Sequence, residues 1–217
     1  MKRLFVLLFL AILVISIGLS SAMAEQPTIS TKEMMQKYED VMLGKSSYIQ
    51  CNRYDDLYRE ATMPSEIHEW YGYEFEEPLK FEAFCITDLD GDGNIEIILK
   101  LSEYFGFELL RYENGQVYGF PFVYRAMEDI TLEGDIHGSS GAADSSWYQI
   151  RFSAEKLEEI ETCRMQSTGT ADIQYFIGDK EVSEGEYTKF CETFEDNMRP
   201  VWVGFSQEQF KAVVSSF

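Results

Sequence analysis

Residues 84–99 read FCITDLDGDGNIEIIL, and within them Asp88, Asp90, Asp92 and Glu96 set four carboxylates at positions 1, 3, 5 and 9 of a nine-residue loop. Gly91 and Gly93 are interleaved with them. A hard divalent cation such as Ca²⁺ takes about six to eight oxygen ligands at ~2.3–2.6 Å. Alternate residues of a tight loop can all point inward, and glycine supplies the positive φ such a loop needs. Asn94, at position 7, offers its backbone carbonyl, and Glu96, at position 9, closes the site directly or through water. Without a cation the loop is frustrated, because each close pair of like charges costs about 1–4 kcal/mol depending on screening. Asp-Gly steps are also ordinary turn chemistry, so an acidic surface turn is the simpler alternative. A turn alone gives no reason to stack four acids.

The EF-hand pattern requires a bidentate Glu at position 12 and a helix after the loop. Position 12 is Leu99, and Ile95 to Leu99 reads as a strand. The pattern instead resembles the β-flanked calcium loop of FG-GAP and VCBS-type repeats, D-x-D-G-D-G-x-x-[DE]. That resemblance covers about a dozen residues and implies Ca²⁺ held by Asp88, Asp90, Asp92, Asn94 and Glu96. Those families repeat the loop in every propeller blade, whereas it occurs once here, so a propeller does not follow. A wider likeness spans roughly half the chain: strand, acidic loop, strand, Asn-Gly hairpin, further strands, then GDKEVSEGEYTKF leading into a helix. It is similar to a group of secreted proteins and lipoproteins of bacteria with an "xGKxVSxxEY" ending. The likeness implies an exported Ca²⁺-binding domain and no particular activity.

The elements that must position the loop follow from periodicity. Ser30-Thr31-Lys32-Glu33 is a capping box, and Met34, Met35, Tyr38, Val41 and Met42 then recur on one helical face until Gly44. Helical stretches are expected over 53–60 and from Pro64 through Trp70. From Lys80 the grammar turns to strands: 81–87, 95–102, 107–112, 117–122, 130–132, 148–153, 157–165 and 173–177. Asn114-Gly115 marks a hairpin between two of them. Residues 138–146, GSSGAADSS, read as a mobile loop. Ser183-Glu184-Gly185-Glu186 caps a helix stopped by Pro200, and Ser206 caps a terminal one. The expected class is α+β, an antiparallel meander flanked by N-terminal and C-terminal helices.

Composition bounds the partners. The 217 residues are 45% hydrophobic and 26% charged, which fits a globular protein and excludes a disordered or collagen-like chain. The net charge of −20 argues against nucleic acid and anionic membranes, which bind cationic surfaces. It leaves cations, basic proteins and neutral ligands such as glycans. Residues 1–24, MKRLFVLLFLAILVISIGLSSAMA, have the basic start, apolar run and Ala22-Met23-Ala24 ending of a secretory signal peptide cut after Ala24. An uncleaved anchor is the alternative, disfavoured because the apolar run falls short of the ~20 residues a span needs. Removing it leaves 25–217 as a single α+β calcium-binding domain with net charge −22, expected outside the cytoplasm and without a membrane span. In that setting Cys51, Cys85, Cys163 and Cys191 permit two disulfides, with three possible pairings, or four buried thiols.

Catalytic patterns are sparse. There is no His-Glu-x-x-His, Gly-x-Ser-x-Gly or phosphate-binding glycine loop, and His68 and His137 are the only histidines. The reading is therefore a non-enzymatic binding domain with structural Ca²⁺. Two alternatives stand beside it. A hydrolase would need His68 or His137 beside an acid and a Ser. A carbohydrate-binding module would need coplanar exposed rings from among Trp70, Tyr71, Tyr73, Phe75, Tyr104, Phe105, Phe107 and Tyr118.

Overall fold

The structure is a computed structural model that describes residues 30–51, 59–64, 80–101, 105–153, 156–169 and 172–217. The signal-peptide segment 1–24, the expected helix after Pro64 and His68 lie outside the described residues. The chain runs α1 (Thr31–Met42), β1 (Tyr48–Cys51), β2 (Arg59–Thr62), β3 (Phe81–Thr87), β4 (Glu96–Leu101), β5 (Phe107–Glu113) and β6 (Gln116–Phe122). A short 3-10 turn, Tyr124–Ala126, leads to β7 (Asp129–Ile130), β8 (Asp135–Gly141), β9 (Asp144–Ser153), β10 (Lys156–Ser167), β11 (Ile173–Ile177) and β12 (Lys180–Val182). The end is α2 (Glu184–Glu195), β13 (Val203–Gly204) and α3 (Gln207–Val214).

The strands form two sheets. The first has the order β13-β3-β4-β5-β6-β1-β2 and the second β12-β11-β10-β9-β8-β7. Among the described residues every pairing is antiparallel except β1 with β6, which run parallel through Ile49↔Tyr118 and Gln50↔Gly119. The α+β class with antiparallel meanders and flanking helices is thus the architecture observed.

Period-2 alternation decides what each sheet buries on each side. Cys85, Ile98, Leu109 and Phe120 of the first sheet meet Ile130, Ile136, Tyr148 and Ile150 of the second in one core. The opposite face of the first sheet is covered by α1 and α3, as in the edge-on packing of Phe84 against Phe210 at 5.0 Å. Tyr38 of α1 ties this layer down: its hydroxyl donates to the Ile95 carbonyl at 2.8 Å and accepts from the Tyr112 N–H at 2.6 Å. The outer face of the second sheet carries α2 over a smaller core of Trp147, Cys163, Tyr187 and Phe194. In α2 the expected capping box forms in full, with Ser183 and Glu186 bonding reciprocally.

Two expectations are corrected. Of the helix expected over 53–60, residues 53–58 lie outside the described residues, and Arg59 and Glu60 belong to strand β2, paired with β1, and not to a helix. Non-local pairing overrides the weak helical propensity of a short polar segment there. Residues 138–146 are not a mobile loop: they end β8 and begin β9, with Gly138↔Ser146 and Ser139↔Ser145 in register. Small residues fit because the neighbouring turn packs close; a Cβ on Gly138 would lie 2.7 Å from the Ala126 carbonyl oxygen. Strand β1 was not foreseen at all. The cysteines, left open between disulfides and thiols, are all free in the structure.

Candidate metal site at the seam of the two sheets

The loop between β3 and β4 turns on Gly91 and Gly93, at φ +69° and +90°. It knits itself together by carboxylate-to-backbone bonds. Asp88 Oδ2 accepts from the Gly93 N–H at 3.0 Å, and Asp92 Oδ1 from the Asn94 N–H at 2.8 Å. Leu89 points the other way, into the inter-sheet core, and its N–H donates to Glu96 Oε2 at 2.9 Å. Glu96 opens β4 on the same face as Ile98, so its carboxyl is drawn inside and is fully buried.

Three of the expected ligands converge. Oxygens of Asp88, Asp90 and Glu96 all lie within 4.8 Å of one another. Asp88 Oδ1 is buried and accepts no hydrogen bond. Asp90 is anchored across the seam, where its Oδ2 accepts from the Phe152 N–H of β9 at 3.3 Å. Asp92 stands apart from this group: its Oδ2 binds Arg111 Nη2 at 2.6 Å and the Asn94 side-chain amide at 3.1 Å. Asn94 is thereby engaged with Asp92 through both its backbone and side-chain N–H groups.

Arg111 of β5 is the residue that the loop pattern did not reveal. Its Nη1 donates to Glu96 Oε1 at 2.7 Å and sits 3.8 Å from Asp90 Oδ2. Its guanidinium lies 4.2 Å over the Phe152 ring, a cation–π contact that shields it from water. A signal for it exists in the chain, because Arg111 is a charge set in a strand, FELLRYE, that is buried along nearly its whole length. An arginine in such a strand needs an acidic partner across the ladder.

Burial dominates the electrostatics. It pushes the Glu96 carboxyl up to about 8, against the opposing pull of the Leu89 N–H and Arg111. It also raises Asp90. Burial works on Asp92 in the same sense, but the hydrogen bonds from Arg111 and Asn94 outweigh it and hold that carboxyl below its usual range. One arginine facing four acids, Asp90, Asp92, Glu96 and Glu113, leaves a net negative pocket whose metal donors are all oxygens. That donor set suits a hard cation and offers nothing to a soft one.

The other candidate residues assemble less. His137 Nδ1 lies 3.6 Å from Glu128 Oε2, and the Ser139 hydroxyl donates to Glu128 Oε1 at 2.9 Å. Ser and His therefore share one carboxylate instead of forming a relay in which the imidazole takes the serine proton. Burial lowers His137 below the ordinary imidazole value, with Glu128 opposing. Among the expected aromatic platform, Phe107 and Tyr118 are core residues and Phe105 is half-buried. Trp70, Tyr71, Tyr73, Phe75 and Tyr104 lie outside the described residues. No helix among the described residues is long and apolar enough to cross a membrane.

Comparison of the chain with protein-family models, with curated proteins and with solved structures finds no match.

Proposed function

We propose that the protein is an exported binding domain whose β3–β4 loop takes up one structural Ca²⁺. The observation that carries this reading is the convergence of Asp88, Asp90 and Glu96 around a buried Asp88 oxygen that no protein group satisfies. A buried carboxylate oxygen without a donor is costly, and a cation relieves it. Asp88, Asp90 and Glu96 would hold the ion together with the Asn94 carbonyl, and Asp92 would join them only by giving up its bond to Arg111. The ion supplies charge neutralisation where two sheets meet. At a concentration one hundred times its dissociation constant it adds about 2.7 kcal/mol of stability.

The surface role that goes with this reading is recognition of a glycan or protein, not catalysis. Calorimetric titration of the chain from residue 25 with Ca²⁺ and with Mg²⁺ tests the metal reading. One site per chain, tighter for Ca²⁺, is expected, together with a higher melting temperature in Ca²⁺ than in EDTA. Absence of binding heat combined with identical melting in the two buffers removes the proposal.

A further inference from the structure

Cys163 and Cys191 lie 28 residues apart in sequence, on β10 and on α2, yet their sulfurs are 3.8 Å apart. The fold brings them together by a specific device. Strand β10 pairs with β9 in regular register up to Glu161↔Tyr148, skips Thr162 as a bulge, and resumes at Cys163↔Trp147. A bulge moves every later side chain to the opposite face. Leu157, before it, packs with the inter-sheet core; Cys163 and Met165, beyond it, pack with the α2 core. Plain alternation would have put Cys163 on the same side as Leu157, away from α2. Helix α2 in turn presents Tyr187, Cys191 and Phe194 to that face.

The two thiols are not equivalent. Cys163 is fully buried, whereas Cys191 is half-buried and keeps part of its surface open to solvent. The buried Cys163 stays a thiol, raised first by its hydrogen bond to Cys191 and then by burial. The contact between the two sulfurs, ahead of the bond from the Tyr187 hydroxyl, lowers Cys191 to about 7; burial and Glu195 oppose the shift. An accessible sulfur with thiolate character beside a buried resolving thiol is the arrangement that undergoes thiol–disulfide exchange.

We propose that Cys191 and Cys163 form a dithiol–disulfide site, with Cys191 as attacking and Cys163 as resolving sulfur. Its substrate class is a disulfide oxidant, RSSR. The Cys191 thiolate attacks one oxidant sulfur, an S–S bond to Cys191 forms, and the first RS⁻ leaves, taking up the proton that Cys191 released. Cys163 then loses its proton to water and attacks the Cys191 sulfur, expelling the second RS⁻, which is protonated in turn. Two protein thiols are oxidised by two electrons to one disulfide, and RSSR is reduced to two RSH. Bringing 3.8 Å down to a disulfide bond of about 2.05 Å asks each sulfur to move by less than about 1 Å. The product staples α2 to the second sheet.

The test uses the chain from residue 25 and glutathione disulfide as the probe. After exposure, denaturation and alkylation, two of the four thiols should be lost. Tryptic peptides 157–164 and 190–211 should be joined, and reduction should separate them. The Cys163→Ser variant should retain glutathione on Cys191, and the Cys191→Ser variant should carry none on Cys163. In the unmodified sequence, four alkylated cysteines after oxidation, or a cross-link through Cys51 or Cys85 in place of this one, overturns the proposal whether or not the variants fold. Glutathione retained on Cys163 in the Cys191→Ser variant would overturn the assigned order of attack.

Discussion

Arg111 Nη1 and Glu96 Oε1 meet at 2.7 Å with both side chains withdrawn from water, at 4% and 0% exposure. Arg111 thus acts as a tethered cation inside the acidic loop, holding Glu96 and Asp92 at once. It neutralises part of the cluster and leaves Asp88 outside its reach, and this division of labour is what the experiments below probe.

Replacing Arg111 with Met strips the buried acids of their only close cation among the described residues. Breaking a buried ion pair from one side costs about 3–5 kcal/mol. In EDTA the Arg111→Met protein should melt far lower than the parent. In millimolar Ca²⁺ the deficit should shrink, because the metal takes over the neutralisation. The same deficit in both buffers would mean that no ion reaches the cluster.

The Asp90→Ala change should behave in the opposite way. Asp90 gives acceptors to the N–H groups of Phe152 and Asp92, at 3.3 Å each, so their loss costs only about 1 kcal/mol in EDTA. With Ca²⁺ present the variant forgoes the metal's contribution as well and should fall behind by at least about 2 kcal/mol more. Thermal unfolding in the two buffers reads the difference. Equal losses would argue that Asp90 is no ligand.

The Glu96 carboxyl carries a sign that pH can expose. Burial raises it to about 8 in the fold, whereas it titrates near ~4.3 in the unfolded chain. Between those values the folded state holds the extra proton. Without metal, this contribution to stability is fully present below the unfolded value and is lost as pH climbs through about 8. Ca²⁺ requires the carboxylate, so its binding releases that proton and tightens with rising pH, by up to about tenfold per unit below the folded value. Titration calorimetry at pH 6.5 in two buffers of different ionisation heat counts the proton; a count of zero contradicts the assignment of Glu96.

Gly134 couples a distant turn to the loop. It sits at φ +85°, and a Cβ there would stand 1.9 Å from the Leu89 carbonyl oxygen. Gly134→Ala must therefore displace Leu89, whose own N–H holds Glu96. Stability should drop by more than the ~1–2 kcal/mol of left-handed strain alone, and Ca²⁺ affinity should drop with it. Gly178→Ala is the control, because its φ is +55° with open space beyond. Unchanged Ca²⁺ affinity in Gly134→Ala would show the loop to be insulated from the turn.

The local chemistry of the chain foretold what depends on near neighbours. Asn114-Gly115 turns β5 into β6 with both residues at positive φ, and Ser183 and Glu186 close their box. Gly44 ends α1 at φ +70°, its N–H returning to the Val41 carbonyl. What stayed hidden depends on distant partners. Strand β1 exists because β6 and β2 flank it, and its four residues carry no periodic signal of their own. The 138–146 stretch looks like a loop by composition and becomes a hairpin because β10 and the 3-10 turn support it. In the site, the loop pattern put Asp88, Asp90 and Glu96 in one cluster. It could not foresee that Arg111 would draw Asp92 aside, since that contact crosses 19 residues and a strand pairing. The Cys163–Cys191 approach was masked by a single bulged residue that reverses the pattern of faces.

The parallel pairing of β1 with β6 sets the order of assembly. Gln50 and Gly119 are 69 residues apart, and no tight turn can join parallel neighbours. The β3–β6 meander closes by short returns and forms early, while β1 must wait for a long excursion of chain to come back. As the polypeptide emerges from its N-terminus, β1 can pair with β2 by a short return, but the two join the rest of their sheet only after β6 has been released.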